Sequence, residues 1–252
     1  RNTLIGATAG DEIVGGERNT AVGYGALHSE TEGDRNTAVG VFALSTQNTS
    51  TGGNVYNTGV GYGAGNAITI GVRNVIVGAQ ALDAETAGSR SVAVGYAALS
   101  AQNFTTATDV YNTAVGHNAG LSISTSTRNT LIGALAGDAI TTGYNNTAGN
   151  ALVTGEENVF IGAMAGEGNL TGVQNTAVGT EALESDTDGC RNTAIGYRSL
   201  FTQDFTTGTN SSNTAVGWQS GTSITTGVSN TLIGSEAGDA LTDADFNVAI
   251  GH

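Results

Sequence analysis

Few residues in this chain have the types and spacing that catalysis requires. The three histidines are His28, His117 and His252, and none of them belongs to a pattern typical of a nucleophile and its base. Lysine is absent, which excludes a phosphate-binding P-loop. The sequence therefore favours a protein that is not an enzyme and that needs no cofactor.

Acidic residues recur in short clusters, and one cluster has a metal-binding character. Asp186-Thr187-Asp188-Gly189 is similar to a calcium-binding turn, because hard cations prefer several oxygen ligands. Asp186 and Asp188 are thus the weak calcium candidates, although the full spacing of a calcium loop is missing. We favour a solvated acidic edge that resists aggregation.

Arginine positions are regular. Seven of the eight arginines directly precede a short recurring motif: Arg1, Arg18, Arg35, Arg73, Arg90, Arg128 and Arg191. One interpretation is an anion-binding stripe. The interpretation we favour is that each planar guanidinium bridges to acids or carbonyls on an adjacent coil or chain.

Composition limits the partners. The formal net charge of −14 predicts repulsion of nucleic acids and anionic lipid. Cys190 is the one cysteine, so no internal disulfide forms, and no apolar run approaches the ~18 residues that span a membrane. Because the chain opens and closes within its repeat, we expect an excerpt of a longer array.

The recurring motif reads Asn-Thr-Ala-Val-Gly and has fifteen copies. Its copies are 17 or 21 residues apart, in the order 17, 17, 21, with a single spacing of 12. The copies begin at Asn2, Asn19, Asn36, Asn57, Asn74, Ser91, Asn112, Asn129, Asn146, Asn158, Asn175, Asn192, Asn213, Asn230 and Asn247. We number coil positions from this residue as position 1.

Alternation within the motif predicts a strand, because side chains of a strand point to opposite faces in turn. Position 2 is Thr or Val in every copy, and position 4 is Val or Ile in fourteen. We predict that position 4 forms one buried column: Val22, Val39, Val60, Val77, Val94, Val115, Ile132, Val178, Ile195, Val216 and Ile233.

These features predict an all-β fold, a parallel β-solenoid (β-roll) of about fifteen coils of 17 or 21 residues. Each coil is too short to bury its own apolar face, and stacking on its neighbours buries it. Residues 1–252 are expected to form one repetitive segment, with an irregular coil at 146–157. There, Gly149-Asn150 replaces Val-Gly, and we predict a kink or shortened coil that interrupts the ladder.

The motif, with variants such as Ser91-Val92-Ala93-Val94-Gly95, resembles the YadA-like head repeat of trimeric autotransporter adhesins. It is equally similar to the Asn-Thr-Ala-Val-Gly-x-x-Ala-Leu arrays of phage tail-fibre proteins. The resemblance covers nearly the whole chain. It implies a homotrimeric extracellular fibre, on a virion tail or a bacterial surface, that binds host surfaces.

Two sets of residues are candidates for receptor contact. The 21-residue coils carry long loops, and loops on a rigid scaffold often bind partners; Phe104 and Phe205 occupy matching positions in two of them. The second set is an aromatic column at position 6: Tyr24, Tyr62, Tyr96, Tyr197 and Trp218. These rings either stack on sugars or pack at a subunit seam. Glycosylation sequons begin at Asn48, Asn103, Asn145, Asn169 and Asn210.

The leading functional hypothesis is a homotrimeric fibre shaft or head that displays loops to a cell-surface glycan or protein. An ice-binding solenoid is the second hypothesis, and it requires an outward array of threonines. A non-catalytic stalk or a filament that polymerises end to end is the third.

Overall fold

The computed structural model of the chain describes residues 1–148 and 155–252. The chain divides into two compact units, Arg1–Leu135 and Ala136–His252. Over the described ranges the secondary structure is β with turns and contains no helix. Each unit is a parallel β-solenoid, and together they comprise about 14 turns, so the predicted fold class is confirmed.

The first unit contains twelve short strands. Eight of them cover positions 2–4 of successive motif copies and pair in parallel with Thr, Ala and Val in register, as Thr20, Ala21 and Val22 do with Thr37, Ala38 and Val39. The strands are β1 (Thr3–Ile5), β2 (Thr20–Val22), β3 (Gly33–Asp34), β4 (Thr37–Val39), β5 (Gly53–Asn54), β6 (Thr58–Val60), β7 (Val75–Val77), β8 (Gly88–Ser89), β9 (Val92–Val94), β10 (Thr108–Asp109), β11 (Thr113–Val115) and β12 (Thr130–Ile132).

The second unit repeats this organisation. Among its described residues, seven motif strands pair in parallel, and a short pair (β16 with β18) accompanies its 21-residue coil. The strands are β13 (Thr147–Ala148), β14 (Val159–Ile161), β15 (Thr176–Val178), β16 (Gly189–Cys190), β17 (Thr193–Ile195), β18 (Thr209–Asn210), β19 (Thr214–Val216), β20 (Thr231–Ile233) and β21 (Val248–Ile250).

The prediction that position 4 forms the core column is wrong, because the strand turns its opposite face inward. None of the eleven Val and Ile residues predicted to be buried is buried, and Ile132 is 63% exposed. Position 3 points inward instead, as Ala21, Leu131 and Phe160 do. The reason is that a narrow coil has room for small residues on its inner face, and only some coils admit a larger one. The Val and Ile side chains therefore form an outer column.

Side-chain volumes are matched inside each coil. Six coils place Leu at position 9 with an acid or glutamine at position 12, as in Leu27 and Glu30. Most other described coils place Gly at position 9 and Ile or Leu at position 12, as in Gly65 and Ile68. A Cβ on Gly65 would lie 3.0 Å from the Ile68 Cδ1 atom. The exchange of Leu for Gly thus makes space for an inward isoleucine.

The motif asparagines form a buried ladder. Asn74 is representative: its Oδ1 accepts the backbone N–H of Ser91 in the next coil (2.8 Å), and its Nδ2 donates to the Gly88 carbonyl of its own coil (3.0 Å). Each side chain therefore ties one coil to the next and closes the turn of its own coil.

Strand pairing continues across the 12-residue spacing. Thr147 and Ala148 pair in parallel with Val159 and Phe160. The Asn158 backbone N–H also donates to the Asn146 side chain at 3.1 Å. The described flanks do not show the predicted interruption of the ladder. The Gly149-Asn150 replacement itself lies outside the described residues.

Candidate binding surface

A buried carboxylate accompanies each 21-residue coil. It is Glu30, Glu85 or Asp186, at position 12 of the preceding coil, and all three are fully buried. The prediction of a wholly solvated acidic edge is therefore wrong at these positions. Their burial is possible because backbone and amide N–H groups satisfy the carboxylate oxygens.

Glu85 shows how the carboxylate fixes the long loop. Its Oε1 accepts the backbone N–H groups of Gly88 (2.7 Å) and Phe104 (3.0 Å), and its Oε2 accepts the Gln102 amide (2.8 Å). Gln102 in turn accepts the Asn112 side chain at 2.8 Å. One carboxylate thus connects its own turn, the first residues of the long loop and the asparagine ladder.

The calcium candidates serve the same purpose. Asp186 accepts the backbone N–H of Phe205 (3.1 Å) and of Gly189 (3.0 Å), together with the Gln203 amide (2.6 Å). Burial raises the pKa of the Asp186 carboxyl, and these hydrogen bonds oppose the rise. Asp188 accepts a threonine hydroxyl. A cation would have to displace these donors, and no cluster of three potential metal ligands occurs within residues 1–148 and 155–252.

Phe104 and Phe205 are not displayed by the long loops. Both rings are buried against the coil, while Thr105 and Thr106 at the same loop are exposed. The buried carboxylates of Glu85 and Asp186 accept hydrogen bonds from the backbone N–H groups of Phe104 and Phe205, respectively. These two residues are therefore loop anchors, and the expectation that they reach a receptor loses its geometric basis.

Two of the arginines that precede the motif, Arg35 and Arg90, bond to the 21-residue coil next to them, as expected. Arg35 donates to the Tyr56 hydroxyl at 2.7 Å, and its guanidinium lies 5.3 Å from the centroid of that ring. Arg90 pairs with Asp109 and donates to the Tyr111 hydroxyl at 3.1 Å. Both interactions connect a coil with the 21-residue coil that follows it. They support the structural interpretation for these two arginines.

The outer strand face carries two uncharged columns in each unit. Position 2 supplies Thr or Val, and position 4 supplies Val or Ile. None of these described side chains is buried, and several of the apolar ones are clearly exposed: Ile5, Val75, Val77, Val115, Ile132, Ile161, Ile195, Ile233, Val248 and Ile250. No charged residue occurs at either position. Each unit therefore presents a continuous strip without a charge.

The aromatic column is on the surface as the sequence predicts. Tyr24, Tyr62, Tyr96, Tyr197 and Trp218 are all exposed. Some of these rings have aromatic neighbours one coil away, since Tyr197 and Trp218 stack with centroids 6.4 Å apart. The column is thus available for contact with a partner.

The sequence interpretation missed Phe42, which lies at position 7 beside this column. Its ring contacts Tyr24 edge to face, with centroids 5.3 Å apart. The signal was present in the sequence: the coils on either side have glycine at position 7, Gly25 and Gly63. The ring packs over Gly25, where a Cβ would lie 2.9 Å from its Cδ1 atom, and its other side, towards Gly63, is open.

Four of the sequon asparagines are at least partly accessible, but Asn169 is fully buried. Its two amide atoms have no hydrogen-bond partner among the described residues. Glycosylation of Asn169 is therefore incompatible with the folded coil.

Asn169→Ile is expected to stabilise the second unit by about 1–3 kcal/mol, because it removes a buried polar group without partners. Ile68, Ile123 and Ile224 occupy the same coil position elsewhere. Urea unfolding followed by circular dichroism measures the change. The exposed Asn210→Ile serves as the control and should give no comparable gain; a loss of stability in Asn169→Ile would contradict the packing argument.

Three comparisons with known proteins give no relative: no protein-family model, no curated protein and no solved structure matches this chain.

Proposed function

We propose that the chain is a non-catalytic structural segment of an extracellular fibre, which displays surface side chains for attachment to a cell surface. The observation that carries the proposal is the uncharged outer strip of each unit, on coils held rigidly by the asparagine ladder. The resemblance of the motif to adhesin heads and tail-fibre arrays supports the same function. A virion tail or a bacterial surface is the location that this resemblance implies.

The strip is best explained as the interface of a parallel homotrimer. Eight strands at ~4.8 Å spacing and ~10 Å width give the first unit a strip of roughly 400 Å², a size typical of interaction sites. Copies of the chain fit it because fourteen of the fifteen motif copies offer the same two columns, so stacked coils meet in register. Closed threefold symmetry leaves no strip exposed. The absence of charge on the strip avoids repulsion within a chain of net charge −14.

The prediction is a mass of three chains in native mass spectrometry and in light scattering. Val77→Asp with Val94→Asp should convert the trimer into single chains, because six carboxylates would be buried at the seam. Since both valines point outward, the β circular dichroism signal should remain. Val14→Asp is the matched control, because Val14 is 86% exposed and off the strip. A wild-type protein of single chains would falsify the trimer.

Ice binding is the second candidate, and one observation favours it. The threonines of position 2 point outward, as ice binding requires. Thermal hysteresis by a single-chain protein, lost on replacing outward threonines, would support this candidate over the fibre. An end-to-end filament would instead give masses that increase with concentration.

Charge and hydropathy leave few other partners. The acidic composition disfavours nucleic acid and anionic lipid. Within the described ranges, the chain has no helix that is long and apolar enough to cross a membrane. A glycan or protein on a cell surface is the proposed receptor.

A further inference from the structure

Phe42 projects from the first unit between two clefts. It has 39% of its surface exposed. Its ring occupies the space over Gly25, whereas the space over Gly63, at the same position of the following coil, is free. A Cβ placed on Gly63 would meet no atom within 4 Å, so open space lies above this residue. The aromatic ring is thus accessible from the side of Gly63 as well as at its edge.

The first cleft combines rings with hydrogen-bonding groups. It is lined by Tyr24, Phe42, His28, Ser45 and Thr46 among others. The Nδ1 atom of His28 is buried and has no hydrogen-bond partner among the described residues. This nitrogen is enclosed, and the groups that a ligand can reach are those of Ser45 and Thr46, which are at least partly exposed and whose hydroxyl oxygens can accept hydrogen bonds.

The second cleft lies on the other side of Phe42. Its lining includes Tyr62, Asn66, Gln80 and Asp83. The Asp83 side chain is half-buried, and this burial raises the pKa of its carboxyl. Amide and carboxyl groups at the edge of an aromatic platform can donate to and accept from ligand hydroxyls.

Charge identifies the ligand class. No arginine lines either cleft. A sulfated or sialylated sugar would meet Asp83 without a compensating cation. Tyr24 and Tyr62 belong to coils two steps apart, roughly 9.6 Å at strand spacing, so a ligand that contacts both must be extended.

We propose that Phe42 and its two clefts bind a neutral oligosaccharide, whose ring faces stack on the aromatic side chains while its hydroxyls bond the polar groups of the clefts. The proposal rests on the attachment function above, because it specifies the receptor as a neutral glycan. Aromatic side chains combine large apolar faces with low conformational cost, which suits the flat face of a sugar ring.

Two substitutions test the site, and each introduces a residue that another coil already has at the same position. Phe42→Gln removes the platform, and Gln80 already occupies the same coil position with φ 57°. Gly63→Asn fills the second cleft, and Asn118 has the same position with φ 57°. Leu135→Gln is the matched control, since Leu135 is an exposed apolar residue at position 7 outside both clefts.

Saturation-transfer NMR with the intact chain should be run against neutral tetrasaccharides of glucose, galactose, mannose and N-acetylglucosamine, and against a sialylated one. We expect transfer to at least one neutral sugar and none to the sialylated sugar. Titration should show at least tenfold weaker binding for Phe42→Gln and for Gly63→Asn, with Leu135→Gln unchanged. Absence of transfer to every neutral sugar, or binding that both variants retain, would overturn the proposal.

The outcome is separable from that of the fibre proposal, because the chain mass is measured on the same samples. A trimer that binds no neutral sugar removes the glycan site and leaves the fibre standing. Single chains that bind a neutral sugar through Phe42 remove the trimer and keep the site.

Discussion

Glu30→Ala is expected to destabilise the first unit by about 3–5 kcal/mol. The Glu30 Oε1 atom accepts the backbone N–H groups of Thr31 (3.0 Å), Gly33 (2.8 Å) and Thr49 (3.1 Å), and its Oε2 accepts the Gln47 amide (2.7 Å). Alanine leaves all of these donors without their acceptor, and the Gly33 and Gln47 donors are buried, so each of these two carries the desolvation cost of an unpaired group.

The effect should be local to the long coil, because the stability of stacked coils depends on contacts between neighbours. Hydrogen exchange should therefore speed up most over residues 47–56, and urea unfolding gives the free energy. Glu32→Ala is the matched control, since it removes an exposed acid two residues away. Equal losses in the two variants would show that the buried carboxylate does not anchor the loop.

The solenoid itself could be predicted from the sequence because stacking requires identical coils, and the motif spacing records that requirement directly. The phase of the strand could not. Alternation at Thr20, Ala21 and Val22 shows that two side chains share a face opposite the third, but it does not say which face is inside. The larger Val and Ile side chains were predicted to form the core, whereas the narrow coil buries the small Ala side chain instead.

The residues next to a buried carboxylate in the sequence do not distinguish it from an exposed one. Glu30 and Glu32 are alike in type and context, yet the first is enclosed and the second is exposed. A distinguishing signal does exist: a glutamine follows the buried acid by 17 residues in all three copies, as Gln47 follows Glu30. Because 17 residues make one coil, this spacing places the amide directly above the carboxylate.

The reversed phase of the strand and the burial of the acids both determine which side chains remain on the surface. Burying Ala in the strand frees Thr and Val for the outer face, and burying the acids keeps the long loops close to the coil. Phe104 and Phe205 consequently pack inward, and exposed rings such as Tyr62 remain on the turns that follow the strand. An interface on the strand and a receptor site on the turns can then coexist on one coil.

Gly78→Ala is expected to cost about 4 kcal/mol or more, the sum of backbone strain and overpacking. Gly78 has φ 138°, a conformation that side chains rarely adopt, and a Cβ there would lie 2.2 Å from the Gly95 carbonyl oxygen of the next coil. That oxygen belongs to the backbone and cannot move aside without separating the coils. The clash therefore opposes the stacking itself.

Gly63→Ala introduces the backbone strain without the steric clash, so it measures the strain alone. Gly63 has φ 62°, so alanine there carries the left-handed penalty of about 1–2 kcal/mol, but its Cβ would meet no atom within 4 Å. Urea unfolding of the two variants should give a loss at Gly78 at least twice that at Gly63. Because Gly23, Gly40, Gly61 and Gly95 make the same close contact with the following coil, each should respond as Gly78 does. Similar losses at Gly63 and Gly78 would mean that the coils can separate to admit a methyl group, and that this glycine column does not set their spacing.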